Sequence, residues 1–79
     1  MHEPALEAAR RALAALATDE PYAQRLTEAR NHLRPLNSDR VGLDPTIVEI
    51  IAEVFDERLT SKEHEEALVS AITTILGLC

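Results

Sequence analysis

The sequence predicts an all-α protein, a small four-helix arrangement made of two helical hairpins. Alanine, leucine, glutamate and arginine, which are strong helix formers, dominate a chain of 79 residues that has only two glycines. Apolar residues recur every three or four positions, which is the spacing of one face of a helix. Prolines and cap-forming residues separate four such stretches. We therefore expect a single helical domain with helices over residues 4–17, 21–33, 45–58 and 61–76.

The first predicted helix has a narrow apolar face. Pro4 suits a first helical turn, and the apolar positions that follow step by three and four residues. They form a stripe at Leu6, Ala9, Leu13 and Leu16. The alanines beside this stripe would let another helix approach closely.

The second predicted helix also has a narrow stripe, and a proline is expected to end it. The stripe consists of Tyr22, Leu26, Ala29 and Leu33. Pro35 follows, and a proline ring clashes with the preceding helical turn. The segment after Pro35 is rich in turn residues and predicts a loop. Its apolar residues, among them Leu36 and Leu43, indicate that part of the loop folds back on the core.

The third and fourth predicted helices begin at recognisable caps and have wide apolar faces. Asp44 is a good N-cap residue with Pro45 after it, and Thr60 with Glu63 has the spacing of a capping box. Gly77 is expected to end the fourth helix. The apolar faces of the two helices form a candidate dimer or core face, consisting of Ile47, Ile51, Val54, Phe55, Leu68, Ile72 and Ile75.

In a four-helix monomer, each helix needs only a limited apolar arc facing the core. The two helices of this second hairpin have wider apolar faces than that. Small domains often gain stability from a partner chain, and large exposed apolar patches are rare in soluble monomers. Three explanations of how this apolar surface is buried therefore remain: the two helices are the central helices of a monomer, they build a homodimer, or they bind a different protein.

The net charge of −6 is unevenly placed, because acids and arginines balance over residues 1–34 and the excess of acid lies in residues 35–79. Much of it forms what we call the acidic stripe: Glu49, Glu53, Asp56 and Glu57. The stripe is either a solvated helix face or a docking surface for a basic protein. Its sign disfavours direct nucleic-acid binding, but spaced carboxylates could imitate a phosphate backbone and block a nucleic-acid-binding protein.

Catalytic, cofactor and metal sites have characteristic spacings, and the sequence shows none of them. His2, His32 and His64 are far apart and Cys79 is the only cysteine, so the spacing of a zinc site is absent. Glu28 and His32 share a helix face, but such a pair is usually a solvated side-chain contact. Two glycines cannot form a phosphate-binding loop. The sequence therefore predicts a protein that is not an enzyme and uses no cofactor or metal.

The distribution of apolar residues predicts a cytoplasmic protein that does not bind membranes. The chain starts without the basic residues and long apolar run of a secretory signal. Its longest uncharged stretch, residues 67–79, is too short to span a bilayer.

Residues 42–51, with the sequence GLDPTIVEII, resemble the modification site and following helix of the acyl carrier proteins. That family attaches phosphopantetheine to a serine directly after the aspartate, whereas Pro45 follows Asp44 here. The resemblance implies, as an alternative function, a degenerate acyl-carrier-like protein that lacks the phosphopantetheine serine. An accessory subunit of an enzyme complex is a further alternative. Our preferred prediction is a non-enzymatic protein-binding module, an acidic regulator or inhibitor that occupies a basic surface of its partner.

Overall fold

The computed structural model describes residues 3–39 and 42–78, and over these residues it contains four α-helices and no strand. The helices are α1 (Glu3–Leu16), α2 (Tyr22–Ser38), α3 (Pro45–Val54) and α4 (Ser61–Leu78). This architecture confirms the predicted all-α class and the order of the four helices.

The core is one cluster of apolar side chains to which all four helices contribute. α1 makes its most extensive contact with α2 and also packs against α4, but it does not reach α3. α1 and α3 therefore lie diagonally across the bundle. The buried residues are Ala5, Ala9, Ala12, Ala15, Leu26, Ala29, Leu33, Leu36, Ile47, Ile51, Val54, Leu68, Ala71, Ile72 and Ile75.

The buried face of α1 differs from the predicted stripe. Of the four predicted residues only Ala9 is fully buried, while the side chain of Leu13 is 49% exposed. Every buried residue of α1 is an alanine: Ala5, Ala9, Ala12 and Ala15. Small side chains allow the backbones of α1 and α2 to approach closely, so the alanines take the contact and the leucines are displaced to its edges.

The expected end of α2 at Pro35 is wrong, because the helix continues to Ser38. Proline lacks the N–H that would donate to the previous turn, which weakens a helix at that point. Here the extra turn places Leu36 in the core with 5% of its surface exposed, and this burial offsets the lost hydrogen bond. The helix then ends with the N–H of Asp39 donating to the carbonyl oxygen of Pro35 at 2.9 Å.

The caps of α3 and α4 are confirmed by their hydrogen bonds. The carboxylate of Asp44 accepts from the backbone N–H of Thr46 at 2.8 Å. The capping box closes in both directions, since Thr60 N–H donates to Glu63 Oε1 at 3.0 Å and Glu63 N–H donates to Thr60 Oγ1 at 3.2 Å. Hydrogen bonding of the Glu63 carboxylate to the backbone N–H of Thr60, and next to the Thr60 side chain, lowers the pKa of the Glu63 carboxyl. Gly77 does not end α4 as expected, because it lies within the helix.

α3 ends at Val54, four residues before the predicted boundary. The cause is local, because the carboxylate of Asp56 accepts from the backbone N–H of Arg58 at 3.0 Å and from its guanidinium at 3.0 and 3.1 Å. Such a side-chain-to-backbone bond competes with the helical pattern. Asp56 and Glu57 therefore lie in the α3–α4 connection and not on the outer face of α3.

Candidate functional site

The candidate dimer or core face belongs to the core of the single chain. Val54 is 0% exposed and Ile72 is 3% exposed, and Ile47, Ile51, Leu68 and Ile75 are equally enclosed. Phe55 is half-buried at the end of α3, with the guanidinium of Arg34 5.4 Å from its ring centre. The first hairpin of the same chain thus covers this face, which the sequence analysis left open to a second copy or another protein. These seven residues do not offer a free docking face.

The apolar surface that does remain open lies elsewhere. Among the described residues, the exposed large hydrophobic side chains are Leu13, Tyr22 and Val69, and all three line the same groove. This apolar groove has a volume of about 250 Å³ and is bounded by the end of α1, the start of α2 and the middle of α4. Leu16 and Leu26 complete its apolar wall.

Polar contacts hold the shape of the apolar groove. Arg25 donates from Nη1 to the carbonyl oxygen of Leu16 at 3.3 Å, which satisfies a carbonyl left free at the end of α1. The same guanidinium lies 5.9 Å from the ring centre of Tyr22. The Tyr22 hydroxyl lies 3.3 Å from both Glu65 Oε1 and the carbonyl oxygen of Ser61, and can donate to either. Partial removal from water, followed by the charge of Glu65, raises the pKa of Tyr22.

The charges that act on the apolar groove come from few residues. One acid, Glu65, and one base, Arg25, line it. Arg25 is already engaged with the Leu16 carbonyl and the Tyr22 ring. The charge of the neighbouring Glu66 also acts on Tyr22, so beside the Tyr22 hydroxyl the negative charges outweigh the positive one.

The acidic stripe is separate from the apolar groove. Glu49, Glu53 and Glu57 are exposed, whereas Asp56 is partly buried and is bound to Arg58. The hydrogen bonds from Arg58 lower the pKa of the Asp56 carboxyl. None of the four residues of the acidic stripe lines the apolar groove.

The other chemically interesting residues do not converge. Over the described residues, no group of three or more histidine, cysteine, aspartate or glutamate side chains could hold a metal ion. Glu28 accepts a hydrogen bond from Gln24, and His32 is exposed. His2 and Cys79 lie outside the described residues. In the segment that resembles acyl carrier proteins, Asp44 caps α3 and Pro45 offers no hydroxyl for modification.

Comparisons with protein families, with characterised proteins and with solved structures find no match for this chain. Of the described helices, none combines the length and the apolar character needed to cross a membrane.

Proposed function

We propose that this chain is a non-enzymatic protein-binding module, a small acidic regulator that occupies the surface of a partner protein. The proposal depends on one observation, which is that Leu13, Tyr22 and Val69 come from three helices and open into one groove. Single exposed apolar side chains are ordinary in soluble proteins. A contiguous apolar patch with a polar rim is typical of an interaction site.

The occupant of the apolar groove that we propose is a basic amphipathic helical segment of the partner. A groove between helices accepts the apolar side of such a segment, with anchors spaced three and four residues apart. Glu65 and Glu66 would then pair with lysine or arginine residues at the edges of the segment. The net charge of −6 adds a long-range attraction for a basic partner.

The acidic stripe has a supporting role in this proposal. Glu49, Glu53 and Glu57 strengthen the negative field without touching a segment bound in the apolar groove. They should therefore affect the association rate and its salt dependence more than the lifetime of the complex. A partner that itself binds nucleic acid has the basic surface that this arrangement favours.

A synthetic peptide tests the proposal directly. The probe is a fluorescently labelled amphipathic helix of leucine and lysine, compared with one whose lysines are replaced by glutamate and one whose leucines are replaced by alanine. We expect fluorescence anisotropy to show saturable binding of the leucine–lysine peptide only. Binding should weaken at least tenfold in the double variant Leu13→Gln, Val69→Gln. The matched control Ala52→Gln, an exposed position on α3, should bind like the wild type.

Three results would overturn the proposal. The first is equal binding of the lysine and glutamate peptides, and the second is unchanged binding by the groove variant. The third is a homodimer, seen by analytical ultracentrifugation, that Val69→Gln dissociates, because the apolar groove would then be filled by a second copy. The carrier alternative has its own test, the intact mass after co-expression with a phosphopantetheinyl transferase. A pantetheine adduct there would require attachment at a residue other than Pro45 and would overturn the proposal.

A further inference from the structure

A second pocket, smaller than the apolar groove, lies between α2 and the first turns of α4. Its volume is about 140 Å³. Its floor is apolar and is formed by Leu26, Val54 and Leu68, all of which are buried. Its rim is polar and is formed by Thr27, Arg30, Ser61 and His64. We call it the Arg30 pocket.

Arg30 is the residue that indicates a ligand-binding site in this pocket. Its side chain is half-buried, and its Nε is enclosed without a hydrogen-bond acceptor among the described residues. An enclosed donor with no acceptor is costly, and more so when it belongs to a charged group. In a chain with a net charge of −6, the Arg30 pocket is lined by no acidic side chain. An anion would therefore meet a guanidinium here without a competing carboxylate in the lining.

The other polar groups of the rim narrow the choice of ligand. Thr27 already donates its hydroxyl proton to the carbonyl oxygen of Ala23 at 3.0 Å. His64 Nε2 lies 3.1 Å from the carbonyl oxygen of Asp56, and since a carbonyl only accepts, Nε2 carries the proton and donates it there. Arg30, together with the hydroxyl of Ser61, remains to bind an anion. Two donor groups suit the two oxygens of one carboxylate.

We propose that the Arg30 pocket binds a small monocarboxylate that carries a short apolar chain. The carboxylate would pair with the guanidinium of Arg30, and its chain would lie against Leu26, Val54 and Leu68. A cavity of about 150 Å³ holds a benzene molecule, so the pocket has room for roughly six non-hydrogen atoms, as in butanoate. A phosphate ion carries more charge, which makes its removal from water more costly, and it has no apolar chain to pack against the floor, so it fits less well. This site is separate from the apolar groove, and the proposal does not require the peptide-binding function.

Titration with sodium butanoate, followed by ¹H–¹⁵N correlation NMR at constant ionic strength, tests the proposal. We expect saturable shifts at the amides of Thr27, Arg30, Ser61 and Leu68. The neutral analogue 1-butanol retains the apolar chain without the charge, and inorganic phosphate retains charge without the chain. Both should shift these amides at least tenfold less at the same concentration.

Two arginine variants provide the matched comparison. Arg30→Gln should weaken butanoate binding at least tenfold, whereas Arg10→Gln, which removes one exposed arginine outside the pocket, should leave it unchanged. Circular dichroism checks that each variant folds. If Arg30→Gln does not fold, Arg30→Lys serves, since lysine keeps the charge but lacks the planar fork, and binding should again weaken. Non-saturable shifts, equal shifts with butanol, tighter binding of phosphate, or unchanged binding in the Arg30 variants would each overturn the proposal.

Discussion

The alanine face of α1 leads to a prediction with a matched control inside the same helix. Ala12 is 0% exposed and belongs to the face of α1 that packs in the core, whereas Ala14 two residues later is exposed. The change Ala12→Leu adds three carbon atoms at a position from which solvent is already excluded. Those atoms must either move α2 and α4 away from α1 or take a strained rotamer. The bundle should therefore lose stability.

The expected loss is a large part of the total stability. Adding methylene groups to a well-packed core costs about 1–3 kcal/mol. A domain of 79 residues has a free energy of unfolding of about 4–12 kcal/mol if it follows the usual value per residue. In a domain of this size, a loss of about 2 kcal/mol lowers the Tm by roughly 8–16 °C.

Urea and thermal unfolding, followed by far-ultraviolet circular dichroism, measure this loss. The control Ala14→Leu makes the same chemical change on the solvent side of α1, and it should alter the free energy of unfolding by less than about 0.5 kcal/mol. Equal effects of the two variants, or a wild-type Tm for Ala12→Leu, would show that α1 does not pack through its alanines.

Three further predictions concern Pro35 and the groups whose pKa is shifted. Pro35→Ala should raise the Tm by several degrees, because it restores a helical hydrogen bond in the last turn of α2; a thermal melt without a gain contradicts this. The folded-state pKa values of Asp56 and Glu63 are lowered, so their contribution to stability is present above their unfolded pKa and is lost as the pH falls through the folded pKa. Urea unfolding at a series of pH values from pH 6 downwards should show this loss. The double variant Asp56→Asn, Glu63→Gln should reduce the slope of the free energy of unfolding against pH. The pKa of Tyr22 is raised, so the fold favours the neutral phenol and should lose stability as the pH rises above the ordinary tyrosine pKa. As Tyr22 is the only tyrosine, its ultraviolet titration should have a midpoint above that value and move back in Glu65→Gln.

The starts of α3 and α4 could be predicted from the sequence, because a cap is a contact between near neighbours. Asp44 bonds to a backbone N–H two residues away, and Thr60 and Glu63 are three residues apart. Two of the helix ends could not be predicted in this way. Burial of Leu36 extends α2 past Pro35 into a segment rich in turn residues. The Asp56 side chain ends α3 early, although the apolar positions there continue the helical period.

The residues of the two candidate sites are harder to recognise from the sequence than the helix caps. In the sequence Leu13 and Val69 follow the same apolar pattern as buried neighbours such as Leu68, and nothing local marks them as exposed. Arg30 is one of several arginines in the first hairpin. The apolar floor beneath it includes Val54 and Leu68, which lie 24 and 38 residues further along the chain.

The sequence by itself determined the helical class, the negative charge of the second half and the residues that share each helix face. The tertiary structure decided which of those faces meet. α1 packs through alanines instead of leucines, and the first hairpin covers most of the apolar faces of α3 and α4. Over residues 3–39 and 42–78, the large apolar side chains left exposed are Leu13, Tyr22 and Val69. The physical reason is that helical periodicity is a property of neighbouring residues. The choice of contacting faces depends on how closely two helices can approach and on how much apolar area the whole bundle removes from water.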